Sequence, residues 1–239
     1  WGLKTLLTVA KADGSIDEID NPRWFNRKIA AIRALQRVIS EEESRAKQIA
    51  GLDPAVPLQK GQRFVVTKKL KRLYAQLRGL HAKIARQRKD FYHKLTTFLV
   101  ETFGALGTEE LAVKNMSAAP KAKEDPAAPG TFLPNGAAAK AGLNRSILDA
   151  APSMLIGMLR TKAEEAGTWF ALANTRKLKP TQRCHRCGEI VKKALSERTH
   201  ECACGCQCGR DENAAKTILR WMTEGDFWSG TGQVGAQSA

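Results

Sequence analysis

Six cysteines crowd into the last third of the 239-residue chain. Cys184 and Cys187 are spaced C-x2-C, which lets two thiolates of one tight turn share a tetrahedral ion. After fourteen intervening residues come Cys202, Cys204, Cys206 and Cys208, any two of which could complete a four-thiolate set. Zn–S bonds of about 2.3 Å require two such turns face to face, and the intervening stretch is long enough for the hairpin that does this. A disulfide framework is the weaker reading, since the chain lacks a recognisable export signal and is not of the small cysteine-dense kind. Directly after the cysteines, Arg210-Asp211-Glu212-Asn213-Ala214-Ala215 opens a helical run over 213–221. A carboxylate there is rigidly placed and could bind a second kind of metal; it could equally be an acid favoured by the helix dipole. A second pair of acids, Glu109 and Glu110, follows a short apolar stretch that predicts a strand. Alone, that pair reads as ordinary surface residues.

These groups need elements to hold them. Residues 2–19 predict a β-hairpin, with Asp13-Gly14 supplying the positive-φ turn. Asn21-Pro22 starts a helix, and over 23–49 Phe25, Ile29, Ile32, Leu35, Val38 and Ile39 keep a three-to-four-residue interval. A Pro/Gly loop follows over 51–61. A longer helix spans about 63–101, where Leu70, Leu77, Ile84, Phe91 and Phe98 repeat every seven residues with Leu73 and Leu80 as companions. This pattern predicts lengthwise antiparallel packing on the first helix. The strand at 105–111 comes next, then a mobile loop over 116–142 rich in Ala, Pro, Gly and Lys. Helix returns over 144–167, interrupted at Pro152, and a second strand is expected over 168–174. The Gly/Ser/Gln/Ala tail, about 226–239, is expected to be disordered.

The net charge is +15 and the pI about 9.8, which points to a polyanionic partner, most often nucleic acid. Twelve basic residues and one acid, Asp90, lie between Lys60 and Lys94. A single-signed surface of this kind suits a phosphate backbone. His81 and His93 on the same helix have no metal-spaced partner. No apolar run approaches the roughly 18 residues that span a bilayer, so a membrane role is not expected. The thiolate-rich clusters predict a reducing compartment.

With these pieces in order, the chain resembles the C-terminal half of the TnpB family, the transposon-encoded RNA-guided nucleases related to type V CRISPR effectors. The residues that carry the resemblance are Asp13-Gly14, Phe91-Tyr92-His93-Lys94-Leu95-Thr96-Thr97, Gly107-Thr108-Glu109, Pro180-Thr181-Gln182-Arg183-Cys184-His185-Arg186-Cys187-Gly188, and Arg210-Asp211-Glu212-Asn213-Ala214-Ala215. The resemblance implies an α/β fold of the RNase H/RuvC-like class: a mixed sheet, a long antiparallel helical hairpin and an inserted zinc ribbon. The implied organisation is a RuvC-like nuclease domain over 1–180 (hairpin about 22–102), the ribbon over 181–209 and a final helix over 210–225.

In the family three carboxylates hold catalytic Mg²⁺. Glu109 matches the second and Asp211 the third, while the first would fall one position before Trp1. In the ribbon, Cys202 lies nine residues before Asp211 and Gly205 follows Cys204, a match to members whose zinc ligands are the equivalents of Cys184, Cys187, Cys202 and Cys204. Cys206 in place of Cys204 is the alternative. Lys68, Lys69, Lys71, Arg72, Arg78, Lys83 and Arg86 would follow the backbone of a guide–target duplex. Arg210 would contact phosphate or pair with Asp211. The implied activity is Mg²⁺-dependent DNA cleavage linked to transposition and DNA recombination. The implied partners are target DNA, a guide RNA and an N-terminal half of the same protein, in the cytoplasm of a prokaryote near the nucleoid. The alternative is a catalytically dead, guide-directed repressor that keeps a structural zinc ribbon.

Overall fold

The computed structural model describes residues 1–194 and 196–225; the tail expected to be disordered lies outside them. The chain divides into two compact units, one made of 23–93 and the other of 1–22 with the residues from 94 onward.

The 23–93 unit is a helical hairpin. Helix α1 (Ile29–Ile49) starts later than the Asn21-Pro22 signal predicts. Arg23 takes a left-handed φ of 51°, and a single 3-10 turn, Asn26–Lys28, leads into the helix. This detour buries Trp24, which meets Phe91 and Tyr92 edge-on with centroids 5.5 and 5.7 Å apart. Helix α2 (Lys68–Thr102) also starts later than expected, because the Thr67 hydroxyl caps it by accepting from the Leu70 N–H at 3.1 Å. The pairing is antiparallel, as the heptads predict. Phe25 stacks on His81 near one end. Near the other, Lys69 bonds Glu42 at 2.8 Å and the Tyr74 hydroxyl donates to Glu43 at 2.5 Å. Leu70 and Ile84 are buried, but Phe98 is 57% exposed, and Tyr92, Thr96 and Leu99 are buried instead. A straight helix drifts about 20° per heptad against a seven-residue repeat, so the buried stripe has moved off the seam by the fourth repeat.

In the larger unit, strands β1 (Thr5–Ala10) and β2 (Ile16–Asp20) form the predicted hairpin. Its turn holds Gly14 at φ 86° and has Asp13 accepting from the Ser15 N–H and hydroxyl. Strand β3 (Ala105–Glu109) runs parallel to β4 (Trp169–Ala173), with Glu109 opposite Ala173. Between them lie a short α3 (Val113–Met116), α4 (Ala137–Ala150) and α5 (Pro152–Ala166). The break at Pro152 is as expected, with Ala151 left-handed between the helices. Helix α4 begins inside the stretch read as loop, where three consecutive alanines raise helix propensity. A short α6 (Thr175–Leu178), capped by the Asn174 carboxamide, leads to the cysteines. Strands β5 (Thr199–Glu201) and β6 (Gln207–Gly209) form an antiparallel hairpin that runs directly into α7 (Arg210–Glu224).

Among the described residues the strands therefore make three two-stranded sheets rather than the one mixed sheet expected. Helix α7 joins them, for it touches β1, β3, β4, β5 and β6. Residues of β1 and β3 wall a shared cavity of about 480 Å³, and α7 covers it. Ala173, Leu178 and Ile218 form a buried cluster, with Trp221 and Met222 packed against it.

Candidate functional site

Side chains alternate along a strand, so Gly107 and Glu109 of β3 share a face. That face is turned to α7, since a Cβ on Gly107 would lie 2.1 Å from Met222 Sδ. On α7, Asp211, Ala215, Ile218 and Met222 recur at three- and four-residue intervals on one side. Two periodicities thus bring carboxylates 102 positions apart to one place: Glu109 and Asp211 both line the 480 Å³ cavity. Its walls are otherwise largely apolar, with Leu7, Val9, Phe103, Leu155 and Trp169 among them. The Glu109 side chain is 13% exposed, and its Oε2 lies 3.8 Å from the Trp1 amino group. Asp211 is exposed, and a Cβ on Gly2 would be 3.9 Å from its Oδ2. Both carboxylates therefore face the start of the first hairpin. Glu110 is exposed and absent from the cavity wall.

The cysteines meet across two knuckles. In the first, the Gly188 N–H donates to the Cys184 carbonyl at 2.9 Å; in the second, the Gly205 N–H donates to the Cys202 carbonyl at 2.9 Å. Cys184 Sγ lies 3.7 Å from Cys204 Sγ, and Cys187 Sγ lies 3.5 Å from Cys202 Sγ. All four sulfurs fall within 4.8 Å of one another, close enough to hold a zinc ion. Cys206 is not in this set. It groups instead with Cys184 and His200, and separately with His185 and Cys208.

The electrostatics of Cys184 and Cys187 suit a cation. Burial pushes the Cys184 thiol up, but the backbone N–H groups of Cys187 and Arg186 and the His200 ring outweigh it and bring it down to about 5. At Cys187 the Glu189 backbone N–H favours the thiolate, yet desolvation and the neighbouring cysteines push the group up to about 12. One negative charge is accepted readily there and further ones are resisted, the behaviour of crowded like charges that a cation relieves.

Asn213, which the sequence patterns do not single out as functional, fastens the first knuckle to α7. It is fully buried. Its Nδ2 donates to the Pro180 and Arg183 carbonyls at 3.2 and 2.7 Å, and its Oδ1 accepts from the His185 backbone N–H at 3.1 Å. Thr217 donates to the Arg183 carbonyl, and Arg220 donates to the carbonyls of His185 and Arg186. Polar residues at 213, 217 and 220, spaced by four and three on one side of α7, are the sequence signal for this tether. Arg210 belongs to a second tether: its Nη1 donates to the carbonyls of Ala194 and Glu197 at 3.1 and 3.2 Å. His200, also unremarked in the sequence, is fully buried among the cysteines, with Lys193 against its Nδ1.

The α2 cations Lys68, Lys69, Lys71, Arg72, Arg78, Lys83 and Arg86 are all exposed. They belong to the 23–93 unit. No helix among the described residues is long and apolar enough to cross a membrane.

Two family models and several known proteins match the sequence of this chain. A family model described as "Probable transposase" matches residues 1–119, and one described as "Cas12f1-like, TNB domain" matches residues 153–218. A "Putative RNA-guided DNA endonuclease" of Streptomyces pristinaespiralis is 30% identical over 219 residues, 91% of this chain and 43% of that protein. The "Putative RNA-guided DNA endonuclease InsQ" of Escherichia coli K12 is 32% identical over 149 residues, 60% of this chain and 34% of the relative. "TnpB-like protein L79" of Acanthamoeba polyphaga mimivirus is 30% identical over 155 residues, 64% and 26% of the two chains. The chain thus spans less than half the length of these relatives. One match covers the segment that carries Glu109, the other the segment that carries the cysteines and Asp211, and the chain belongs to the TnpB family.

Proposed function

We propose that this chain carries the nuclease site of a transposon-associated, RNA-guided DNA endonuclease, a RuvC-like site in which Glu109 and Asp211 are metal-binding carboxylates. The observation that carries the reading is their convergence on one cavity, Glu109 at the carboxyl end of β3 and Asp211 in the first turn of α7. Both offer hard oxygen donors, the type Mg²⁺ prefers, and an ion that keeps several of its waters needs only a few carboxylates. Bound there, Mg²⁺ supplies an activated water and neutralises charge at the scissile phosphate. The chain's own part is placement. The parallel β3–β4 pair fixes Glu109, and α7 fixes Asp211.

Cys184, Cys187, Cys202 and Cys204 are the ligands of a structural zinc ribbon in this reading. A closed four-thiolate site has no open coordination position, so its work is to hold the segment entering Asp211. The exposed cations of α2 bind phosphate backbone without reading sequence. Target DNA and a guide RNA are the partners.

The test uses the product of the complete reading frame, loaded with guide RNA and Mg²⁺. Asp211→Ala and Glu109→Ala are each expected to lower target cleavage at least 100-fold, while guide-dependent binding of target stays within a few-fold of the parent. Cleavage at the parental rate by Asp211→Ala would sink the assignment.

A further inference from the structure

Between Glu165 and Glu189 the sequence has no acid and five basic residues, Arg176, Lys177, Lys179, Arg183 and Arg186. Arg183 is engaged, its guanidinium donating to the carbonyls of Leu178 and Gly188 at 2.9 Å. Arg176, Lys177 and Lys179 differ. All three are exposed, and among the described residues none has a side-chain hydrogen bond or ion pair.

The turn that carries them is held more firmly than three solvated cations require. Strand β4 ends at Ala173, and the Asn174 carboxamide accepts from the Arg176 and Lys177 N–H groups at 3.1 Å. Thr175 Oγ1 donates to the Glu110 carbonyl at 3.4 Å, which ties α6 to the residue after Glu109. Leu178 is buried in one cluster with Ile218 of α7, and the Pro180 carbonyl accepts from Asn213 on that same helix. Lys179 takes a left-handed φ of 50°, uncommon for a residue with a long side chain. Its carbonyl accepts from the N–H groups of Gln182 and Arg183 at 2.9 Å. The turn is therefore fixed both to β3, which bears Glu109, and to α7, which bears Asp211. Thr181, two residues beyond Lys179, belongs to the wall of the cavity that the two carboxylates line, and the three cations stand outside that wall.

We infer that Arg176, Lys177 and Lys179 form a subsite for the DNA strand being cut, holding phosphates next to the scissile one. Parallel strands bind their ligands outside their carboxyl ends, and α6 leaves β4 at that end, where Ala173 pairs with Glu109. Ammonium and guanidinium groups answer the charge of a phosphodiester without reading a base. Because their turn is anchored to the elements that carry both carboxylates, holding the flanking phosphates also positions the scissile one.

This inference rests on the nuclease reading of Glu109 and Asp211, and the experiment separates the two. The product of the complete reading frame, with guide RNA and Mg²⁺, is given target DNA whose phosphates next to the cut are native or replaced one at a time by neutral methylphosphonates. In Arg176→Gln/Lys177→Gln/Lys179→Gln, cleavage of native DNA is expected to fall about 10–100-fold, the factor carried by one or two charge-assisted hydrogen bonds. Guide RNA binding and unfolding temperature are expected to match the parent. At least one methylphosphonate is expected to slow the parent by a similar factor and to slow the variant no further. Multiplicative effects would mean that the turn only supports the fold, and would overturn the subsite. A triple variant that cuts native DNA at the parental rate, while Asp211→Ala does not cut, would overturn the subsite and leave the nuclease reading standing. Parental cleavage by Asp211→Ala would remove both. Weakened guide RNA binding, with cleavage restored at saturating guide, would assign the cations to the guide and overturn the inference. If the triple variant fails to fold, the same comparison with Lys177→Gln alone decides.

Discussion

Asn213 satisfies four backbone or ring groups at once, and all four lie in the segment that presents Cys184. Truncating it strands the Pro180 carbonyl and the His185 N–H in the interior, while Thr217 still serves Arg183. Each buried group left without a partner costs roughly 1–3 kcal/mol, so with two groups stranded Asn213→Ala is expected to lose about 2–6 kcal/mol in denaturant unfolding. Asn213→Asp should lose more, because a carboxylate would face two carbonyl oxygens in place of an N–H donor. An Asn213→Ala chain as stable as the parent would show that the knuckle holds itself without α7. At this scale the sequence was legible where residue type implies chemistry, as at Cys184, Cys187 and Asp211. Asn213 was opaque because its importance lies in three partners 28 to 33 positions away. At Arg210 the sequence points to phosphate or to Asp211, and no spacing rule names the carbonyls of Ala194 and Glu197 that it bonds.

Helix α7 and strand β3 approach closely only because residue 107 has no side chain. A Cβ there would stand 2.1, 2.8 and 3.2 Å from Sδ, Cγ and Cε of Met222. Gly107→Ala must therefore displace the methionine or widen the gap that Glu109 and Asp211 share. Overpacking of this kind costs about 1–3 kcal/mol, and restoring space with Met222→Ala should recover part of it. The check is a double-mutant cycle in unfolding free energy; additive effects would mean that the strand and helix do not press on each other at this point. The hairpins, the heptad helix, the Pro152 break and both strands of the parallel pair follow from period and turn chemistry, which act over a few residues. Helix starts at α1, α2 and α4 did not, since Arg23, Thr67 and the alanine run decide them locally against the broader pattern. Separation of the strands into three sheets is tertiary: it depends on which faces meet α7, and no local period encodes that.

Across the whole molecule the charge is segregated. Residues 23–93 hold eighteen Lys and Arg against five acids, +13 of the total +15. On α2 Lys68, Arg72, Lys83 and Arg86 lie on the face opposite Leu70 and Ile84, with Lys69, Lys71 and Arg78 on its flanks, whereas Arg88 lies over the Trp24 ring. From Lys68 to Arg86 that face runs about 27 Å, enough to track several successive phosphates of a duplex. Lys68, Arg72, Lys83 and Arg86 fall nearest its centre line, whereas Lys69 is already engaged with Glu42 at 2.8 Å. If these groups hold phosphate, each contact removed should reduce the slope of log affinity against log salt by roughly 1. Replacing the central four with Ala is therefore expected to flatten the slope by about 3–4. It should weaken binding to unrelated sequences by similar factors and leave the metal content unchanged. Lys69→Ala should change the slope less, because its charge is already partly spent on Glu42. Filter binding of the guide–target duplex between 50 and 300 mM salt reads both numbers. An unchanged slope in the four-site variant would mean that the most charged face of the chain is a solvated surface and that the polyanion is held elsewhere.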